Sequence, residues 1–219
     1  MTPPRVLRKT YRALIPRSSL VDRALVGVYE RFDPSSSKPR DQWSRTAMYQ
    51  AVDRKLSELD PGRLDALEIS GTNYRDKPWR SYSELHYPAF DLCDPPDELS
   101  PQADIVLCDQ VLEHVRDPFA AARTLFDLCR PGGWCFVATP FLYRIHAAPD
   151  DFWRFTPHGL AQVLGEAGFD DIDAQWWGNK ACVKACLTGD PIYRGWRSLR
   201  SPDHALPVVV WAFARKNSS

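Results

Sequence analysis

The sequence predicts an α/β fold, in which a doubly wound, mainly parallel sheet of seven strands follows an N-terminal helical arm. Short apolar runs alternate with stretches of helical spacing, which is the pattern of a parallel sheet covered by helices. The apolar run Ile105–Leu107 passes directly into the polar residues Cys108, Asp109 and Gln110. Open α/β sheets place their ligand sites at the carboxyl ends of such strands. The other elements and the candidate site are therefore placed relative to this organising strand.

Length, composition and charge exclude several classes of protein. The 219 residues are 44% hydrophobic, which fits one α/β domain with an added arm. Lys plus Arg and Asp plus Glu each number 28, so no whole-protein field attracts nucleic acid. The longest apolar runs are too short to span a bilayer, and the N-terminus lacks a secretory signal. The six cysteines form no CxxC pair, so we expect reduced thiols, a cytoplasmic protein and no metal site.

Residues 1–40 are predicted to form a basic helical arm and linker, with the α/β domain over residues 41–219. Nine Lys and Arg residues oppose three acidic residues in this arm. Its apolar residues have helical spacing, which is typical of peripheral contact with an anionic membrane surface. The alternative is an arm that packs on its own domain or on the second subunit of a homodimer.

Four helices are predicted in the domain from apolar periodicity and from residues that begin or end helices. Asp117-Pro118 suits a helix start, and Gly168 suits a helix end. The predicted helices are Trp43–Leu59, Phe119–Cys129, Thr156–Gly168 and Lys180–Leu187.

Seven apolar segments of strand length lie between these helices. The run that contains Ile105–Leu107 is the fourth of them. The others are Leu64–Ile69, Tyr82–Leu85, Phe90–Leu92, Trp134–Ala138, Ile172–Trp177 and Val208–Phe213.

Four stretches, in a fixed order along the chain, carry a resemblance to a known family. They are Ala66–Gly71 (ALEISG), Asp104–Val115 (DIVLCDQVLEHV), Leu128–Gly133 (LCRPGG) and Phe155–Phe169 (FTPHGLAQVLGEAGF). Together they resemble class I S-adenosylmethionine-dependent methyltransferases, in the branch similar to ubiquinone and menaquinone methyltransferases. The resemblance implies a Rossmann-like sheet, S-adenosylmethionine as cofactor and a small-molecule acceptor.

The resemblance also implies which residues meet the cofactor. Glu68 matches the acidic residue that ends the family's first strand, and the next turn matches its glycine-rich turn. For the ribose, the alignment leaves Glu84 and His86 as alternatives. Asp91 and Leu92 match the pair that meets adenine, although Asp91 also suits a turn cap. The cofactor residues are then Glu68, Ser70, Gly71, Asn73, Glu84 or His86, Asp91, Leu92, Asp109 and Gln110.

The turn after the first strand departs from the family pattern acidic-x-Gly-x-Gly-x-Gly. Only Gly71 of the three glycines is present, in a position where the backbone passes close to the cofactor. Asn73 can adopt a left-handed conformation at modest cost. Pro78 fits only the first turn of a helix, so the helix that follows should be short or start late. We therefore expect an open cofactor site with micromolar or weaker affinity.

The stretch after the strand Trp134–Ala138 should border the cofactor pocket, since it lies at a strand's carboxyl end. It mixes aromatic, basic and acidic residues with His146. The predicted substrate residues are Phe141, Tyr143, Arg144, Asp151, Trp153 and Arg154, with Asn179 on the opposite wall. The alternative is a lid whose polar groups hold it shut.

Methyl transfer to a hydroxyl requires a group that accepts its proton, and His146 is the first choice. Asp109 and His114 are the other candidates, although His114 equally suits a loop-orienting role. The sequence thus predicts O-methylation of a small-molecule, sugar or natural-product hydroxyl. The alternative is a methyltransferase fold whose departed glycine motif serves other chemistry or non-catalytic binding.

Overall fold

The structure is a computed structural model that describes residues 43–100, 102–146, 150–188 and 202–218. The predicted arm over residues 1–40 lies outside these, so its contact with a membrane surface or a second subunit stays a prediction. In chain order the helices are α1 (Trp43–Leu59), α2 (Pro118–Leu128), α3 (Pro157–Glu166) and α4 (Lys180–Thr188). The strands are β1 (Asp65–Ile69), β2 (Ser81–Leu85), β3 (Ala103–Asp109), β4 (Cys129–Pro140), β5 (Asp170–Trp177) and β6 (Val209–Arg215).

The six strands form one sheet in the order β2-β1-β3-β4-β6-β5. The pairings of β1 with β2 and β3, and of β3 with β4, are parallel, whereas β6 pairs antiparallel with β4 and β5. The carboxyl ends of the four parallel strands therefore share one edge with the start of β6. The organising strand is confirmed as β3, in the centre of this sheet.

Each face of the sheet carries its own hydrophobic core, because inward side chains alternate along the strands. On one face, Ile105 and Leu107 of β3 pack with Met48 and Val52 of α1. On the other face, Val106 packs with side chains of α2 and α3. Helices on both faces confirm the doubly wound arrangement.

The predicted helix ends are confirmed by their caps. The Asp117 carboxylate accepts hydrogen bonds from the backbone N–H groups of Phe119 and Ala120 at 3.0 Å each. The Thr156 hydroxyl accepts one from Gly159 N at 3.0 Å. Gly168 follows α3 with a φ of 105°, which an L side chain rarely adopts.

One predicted strand, Phe90–Leu92, is wrong, because the structure has turns there. Phe90 N donates to the His86 carbonyl at 2.9 Å, and Cys93 N donates to the Asp91 carboxylate at 2.8 Å. These local bonds close turns and take the N–H groups that a strand would need. Asp91 thus serves the turn-capping alternative, while the Leu92 side chain is buried in the core.

Four other expectations can be compared with the structure. The turn after β1 leads into turns rather than a helix between Gly71 and Arg80. Ser70, with a φ of 53°, is the left-handed residue there instead of Asn73. All six cysteines are free thiols, and five of them are buried. No helix within the described residues has the length and hydropathy needed to cross a membrane.

Candidate active site

The candidate site lies at the edge where β1, β3 and β4 end. Ser70 directly follows β1, Gln110 directly follows β3, and both have left-handed backbone, with φ values of 53° and 60°. Such conformations are uncommon outside glycine and concentrate at functional sites. Gln110 N also donates to the Ala138 carbonyl at 2.8 Å, which fixes the β3 turn against β4.

Glu68 organises the turn after β1 from inside the protein. Its buried carboxylate accepts hydrogen bonds from Asn73 N at 2.7 Å, Tyr74 N at 3.0 Å and the Tyr82 hydroxyl at 2.6 Å. Burial raises the pKa of Glu68, while these donors act in the opposite direction. A side chain on Gly71 would collide with the same carboxylate, which explains the one retained glycine.

Asp109 ends β3 beside that turn. Its Oδ2 accepts hydrogen bonds from the hydroxyls of Tyr49 at 3.2 Å and Tyr74 at 3.3 Å, and from Asn73 Nδ2 at 3.4 Å. The pKa of Asp109 is raised by burial, with Arg45 opposing this effect. Asp109 therefore ties α1, the β1 turn and β3 together at the strand edge.

The two ribose alternatives, Glu84 and His86, contact each other. His86 Nε2 lies 3.0 Å from a Glu84 oxygen, and Arg75 donates to the other Glu84 oxygen at 2.6 and 2.9 Å. These partners lower the pKa of Glu84. A ribose would have to share this carboxylate with Arg75.

A cavity of about 170 Å³ opens at the same edge, beyond β3 and β4. Three of the predicted residues, Gln110, Tyr143 and His146, lie in its wall. The full lining is Ser44, Arg45, Gln110, Pro140, Tyr143, His146, Val208 and Val209. The structure thus brings the β3 end and the segment after β4 to one cavity.

His146 stands between this cavity and a carboxylate. Its Nδ1 lies 3.2 Å from Asp151 Oδ2, and its backbone N–H donates to the same oxygen at 2.7 Å. Arg154 holds Asp151 through both of its terminal nitrogens, which lowers the pKa of Asp151 to about 2. Burial lowers the pKa of His146, so its neutral form is favoured at neutral pH.

The segment after β4 is docked on the turn after β3. His114 Nδ1 lies 2.5 Å from the Asp150 carbonyl, and the Glu113 carbonyl accepts from Phe152 N at 2.7 Å. Trp153 Nε1 donates to the Val115 carbonyl at 2.9 Å. His114 thus orients the loop, which was one of its two predicted roles.

Several predicted substrate residues lie outside the cavity wall. Trp153 is 39% exposed, and Arg154 also donates to the Tyr143 and Arg144 carbonyls at 3.4 and 3.1 Å. Phe141 packs against the core, and Asn179 Oδ1 accepts from Cys182 N at 3.0 Å. Arg154 therefore follows the alternative of a lid held shut by polar groups, and Asn179 caps α4.

Sequence reasoning missed two groups of residues at this edge. Glu113 is fully buried, and burial raises its pKa to about 8, yet only its neighbour His114 was singled out. Tyr49 and Tyr82, which donate to Asp109 and Glu68, were missed as well. A signal existed for Tyr82, because it lies two residues before Glu84, the parallel partner of Glu68.

The sheet order and the strand-end site define a class I S-adenosylmethionine-dependent methyltransferase. A family model described as a methyltransferase domain matches residues 18–174, and the chain belongs to this family. S-adenosylmethionine is the cofactor of the class.

The chain is similar to several curated proteins and solved structures. The ubiquinone biosynthesis O-methyltransferase of Nitrosospira multiformis is 32% identical over 84 residues, with 31% of this chain and 35% of that protein covered. The Bordetella pertussis protein of the same name is 43% identical over 64 residues, with 26% of each covered. The chain thus spans about a third or less of the curated relatives that it matches.

Among solved structures, an S-adenosylmethionine-dependent methyltransferase from Mesorhizobium loti matches with a TM-score of 0.51 and 15% identity, covering 77% of this chain and 97% of that one. The CurJ carbon methyltransferase matches with a TM-score of 0.50 and 13% identity, covering 79% and 54%. These likenesses support the fold.

Of the residues at the strand edge, Asp109 fits S-adenosylmethionine, whereas Glu84 fits it less well. Asp109 Oδ1 is buried and accepts no hydrogen bond from the described residues, so it can receive an ammonium group. At the β2 end, Arg75 already holds the Glu84 carboxylate. The cofactor's amino-acid end is therefore the better matched of the two.

Proposed function

We propose that this protein transfers a methyl group from S-adenosylmethionine to a hydroxyl of a small acceptor. The observation that carries the proposal is the cavity beside Gln110, at the end of β3, with His146 in its wall. The similarity to ubiquinone biosynthesis O-methyltransferases supports an oxygen as the accepting atom. Tyr143, whose ring centroid lies 5.3 Å from that of His146, favours a planar acceptor such as a phenol.

The chain's own residues supply the proton acceptor and the orientation. S-adenosylmethionine carries its methyl group on a sulfonium, so the protein chiefly aligns the acceptor and accepts its proton. In the neutral imidazole one ring nitrogen carries the proton and the other keeps a lone pair, and this lone pair of His146 accepts the hydroxyl proton. Arg154 fixes Asp151 and thereby positions the ring.

The alternative is a methyltransferase fold that binds without turnover or serves other chemistry. The short turn after β1 favours it, because the Tyr74 side chain is buried there, where the family begins a helix. The ion pair between Arg75 and Glu84 points the same way.

Two measurements distinguish these functions. Calorimetry with S-adenosylhomocysteine reports cofactor binding, and transfer of a labelled methyl group to phenols, catechols and sugars reports turnover. Binding followed by a methylated product supports the enzyme. Binding without any product across the panel favours the alternative, and no binding at millimolar ligand removes methyl transfer altogether.

A further inference from the structure

Three side chains beside the cavity lie close together, and only one of them, His146, has a part in the proposed methyl transfer. They are Glu113, His114 and His146, and each offers a ligand atom within 4.8 Å of the other two. Glu113 Oε1 and His114 Nε2 are 3.7 Å apart, and the rings of His114 and His146 have centroids 5.1 Å apart. From this arrangement we infer a binding site for a divalent first-row transition-metal cation.

The Glu113 carboxylate is the strongest independent sign of a ligand. The residue is fully buried, and its Oε2 is contacted at 3.4 Å by the Thr139 hydroxyl. Its Oε1 is buried and has no hydrogen-bond partner in the described part of the chain. Leaving a buried carboxylate oxygen unpaired is costly, and a cation would satisfy it.

His114 has the second contact that metal-binding histidines require, and His146 has a carboxylate 3.2 Å from its Nδ1. His114 Nδ1 faces the Asp150 carbonyl at 2.5 Å, which places its proton there and leaves Nε2 directed towards Glu113. His146 Nδ1 lies beside the Asp151 carboxylate. A hydrogen-bonded carbonyl behind the ring fixes the tautomer of His114 and raises its basicity as a ligand.

The geometry is close to that of a metal centre. Ligand atoms around zinc stand about 2.0–2.2 Å from the ion, and hence roughly 3.4 Å from one another. The separation of 3.7 Å between Glu113 Oε1 and His114 Nε2 needs only a small inward shift. Two imidazoles and one carboxylate suit Mn²⁺, Co²⁺, Fe²⁺ or Zn²⁺.

A cation at this point would leave open positions on the cavity side, since His146 lines the cavity. An acceptor oxygen can fill such a position, and the cation's charge would lower the pKa of that hydroxyl, whose proton would then pass to water in the cavity. This role rests on the proposed function, whereas the binding of the cation does not. A ring with a cation on one nitrogen and hydrogen on the other cannot accept a proton, so the bound cation would replace His146 as the activating group.

Calorimetric titration of the untagged, chelator-treated chain with Mn²⁺ and Co²⁺ tests the site. Mn²⁺ avoids competition from the cysteine thiols, which prefer softer metals. We expect one cation per chain, and at least about 10-fold weaker binding in Glu113→Gln and in His114→Gln. The matched control is His158→Gln, an exposed histidine on α3, which should bind as the wild type does.

A second readout guards against misfolded variants. The melting temperature of the wild type and of His158→Gln should rise as the cation concentration rises above the dissociation constant, whereas that of the two site variants should not. Wild-type protein without stoichiometric uptake at millimolar cation, or site variants that bind like the wild type, would overturn the inference. These assays contain neither methyl donor nor acceptor, so failed turnover on the acceptor panel counts against the proposed function alone.

Discussion

Two fully buried carboxylates near the ends of neighbouring strands differ in how they are satisfied. Glu68 on β1 accepts hydrogen bonds from two backbone N–H groups and one tyrosine hydroxyl. Glu113, after β3, has one distant hydroxyl contact at 3.4 Å and one oxygen without a partner in the described residues. Burial raises the pKa of both carboxyls. The fully bonded carboxylate holds a loop, whereas the unsatisfied one remains available to a ligand.

The difference extends to the loops around each carboxylate. The β1 turn folds over Glu68 and is closed further by Tyr74, whose side chain is 1% exposed. The loop after β4 docks on the backbone of Glu113 and leaves a cavity beside His146. The β1 turn on the cofactor side is therefore closely packed, whereas the segment after β4 on the acceptor side borders a cavity.

The largest expected effect belongs to the acceptor side. His146→Ala should lower the turnover rate by about 10²–10⁴-fold, because the hydroxyl loses its activating group whether His146 accepts the proton itself or ligates a cation. Cofactor affinity should stay nearly unchanged, since the Glu68 turn is untouched. Steady-state kinetics and calorimetry with S-adenosylhomocysteine measure the two quantities, and His158→Ala is the control. Full turnover in His146→Ala would move the base to Asp109 or His114.

On the cofactor side, Glu68→Gln should lower the free energy of unfolding by about 1–3 kcal/mol. The amide keeps the side-chain shape, but its NH₂ group must face donors such as Asn73 N or Tyr74 N. Urea unfolding measures the loss, and calorimetry should show weaker binding of S-adenosylhomocysteine. An unchanged unfolding curve would mean that the turn does not depend on the carboxylate.

Glu113→Gln is the matched change on the acceptor side, and its stability should stay within about 1 kcal/mol of the wild type. The variant gives up one long contact to Thr139, and it removes a carboxylate oxygen that has no partner among the described groups. Urea unfolding under the same conditions makes the comparison direct. A loss as large as that of Glu68→Gln would erase the distinction between the two carboxylates.

The sequence predicted the fold well where pattern and packing agree. Three sequence features each favoured a single structure, and each structure is present. They are the apolar run of β3, the helix N-cap at Asp117 and the helical spacing of apolar residues in α1. Phe90–Leu92 failed because three apolar or acidic residues carry too little periodicity to distinguish a strand from a turn. The Asp91 side chain, which accepts from Cys93 N, decided that case.

The site was harder to predict, because partners distant in sequence decide what each side chain does. His146 reached the cavity as expected, since a residue just beyond a parallel strand must lie at that edge. By contrast, the Asn179 side chain accepts a hydrogen bond at the start of α4, and the Arg154 side chain donates to Asp151. Glu113 was not predicted as a site residue. Its burial and the lack of a hydrogen-bond partner for its Oε1 among the described residues arise only from the packing of β3, β4 and the segment after β4.

An effect smaller than that of Glu68→Gln should come from Asp65, which tests whether burial or bonding separates Glu68 from Glu113. Asp65 lies on the same strand as Glu68, at the opposite edge, and is bonded to Arg80, Ser81 and Arg130. It is as fully bonded as Glu68 but partly exposed, so solvent and salt weaken its ion pairs. Asp65→Asn should therefore destabilise the protein less than Glu68→Gln does, and added salt should narrow the gap from the wild type.

The stability difference between the wild type and Asp65→Asn should depend on pH in a definite direction. The arginines hold the pKa of Asp65 well below its usual range in the folded protein. A carboxyl with a lowered folded pKa contributes its stability above the unfolded value of about 3.9 and loses it as pH falls towards the folded value. The difference in melting temperature between wild type and Asp65→Asn should be constant near neutral pH and shrink below about pH 4. If the difference instead exceeds that of Glu68→Gln at neutral pH, bonding alone and not burial governs these carboxylates.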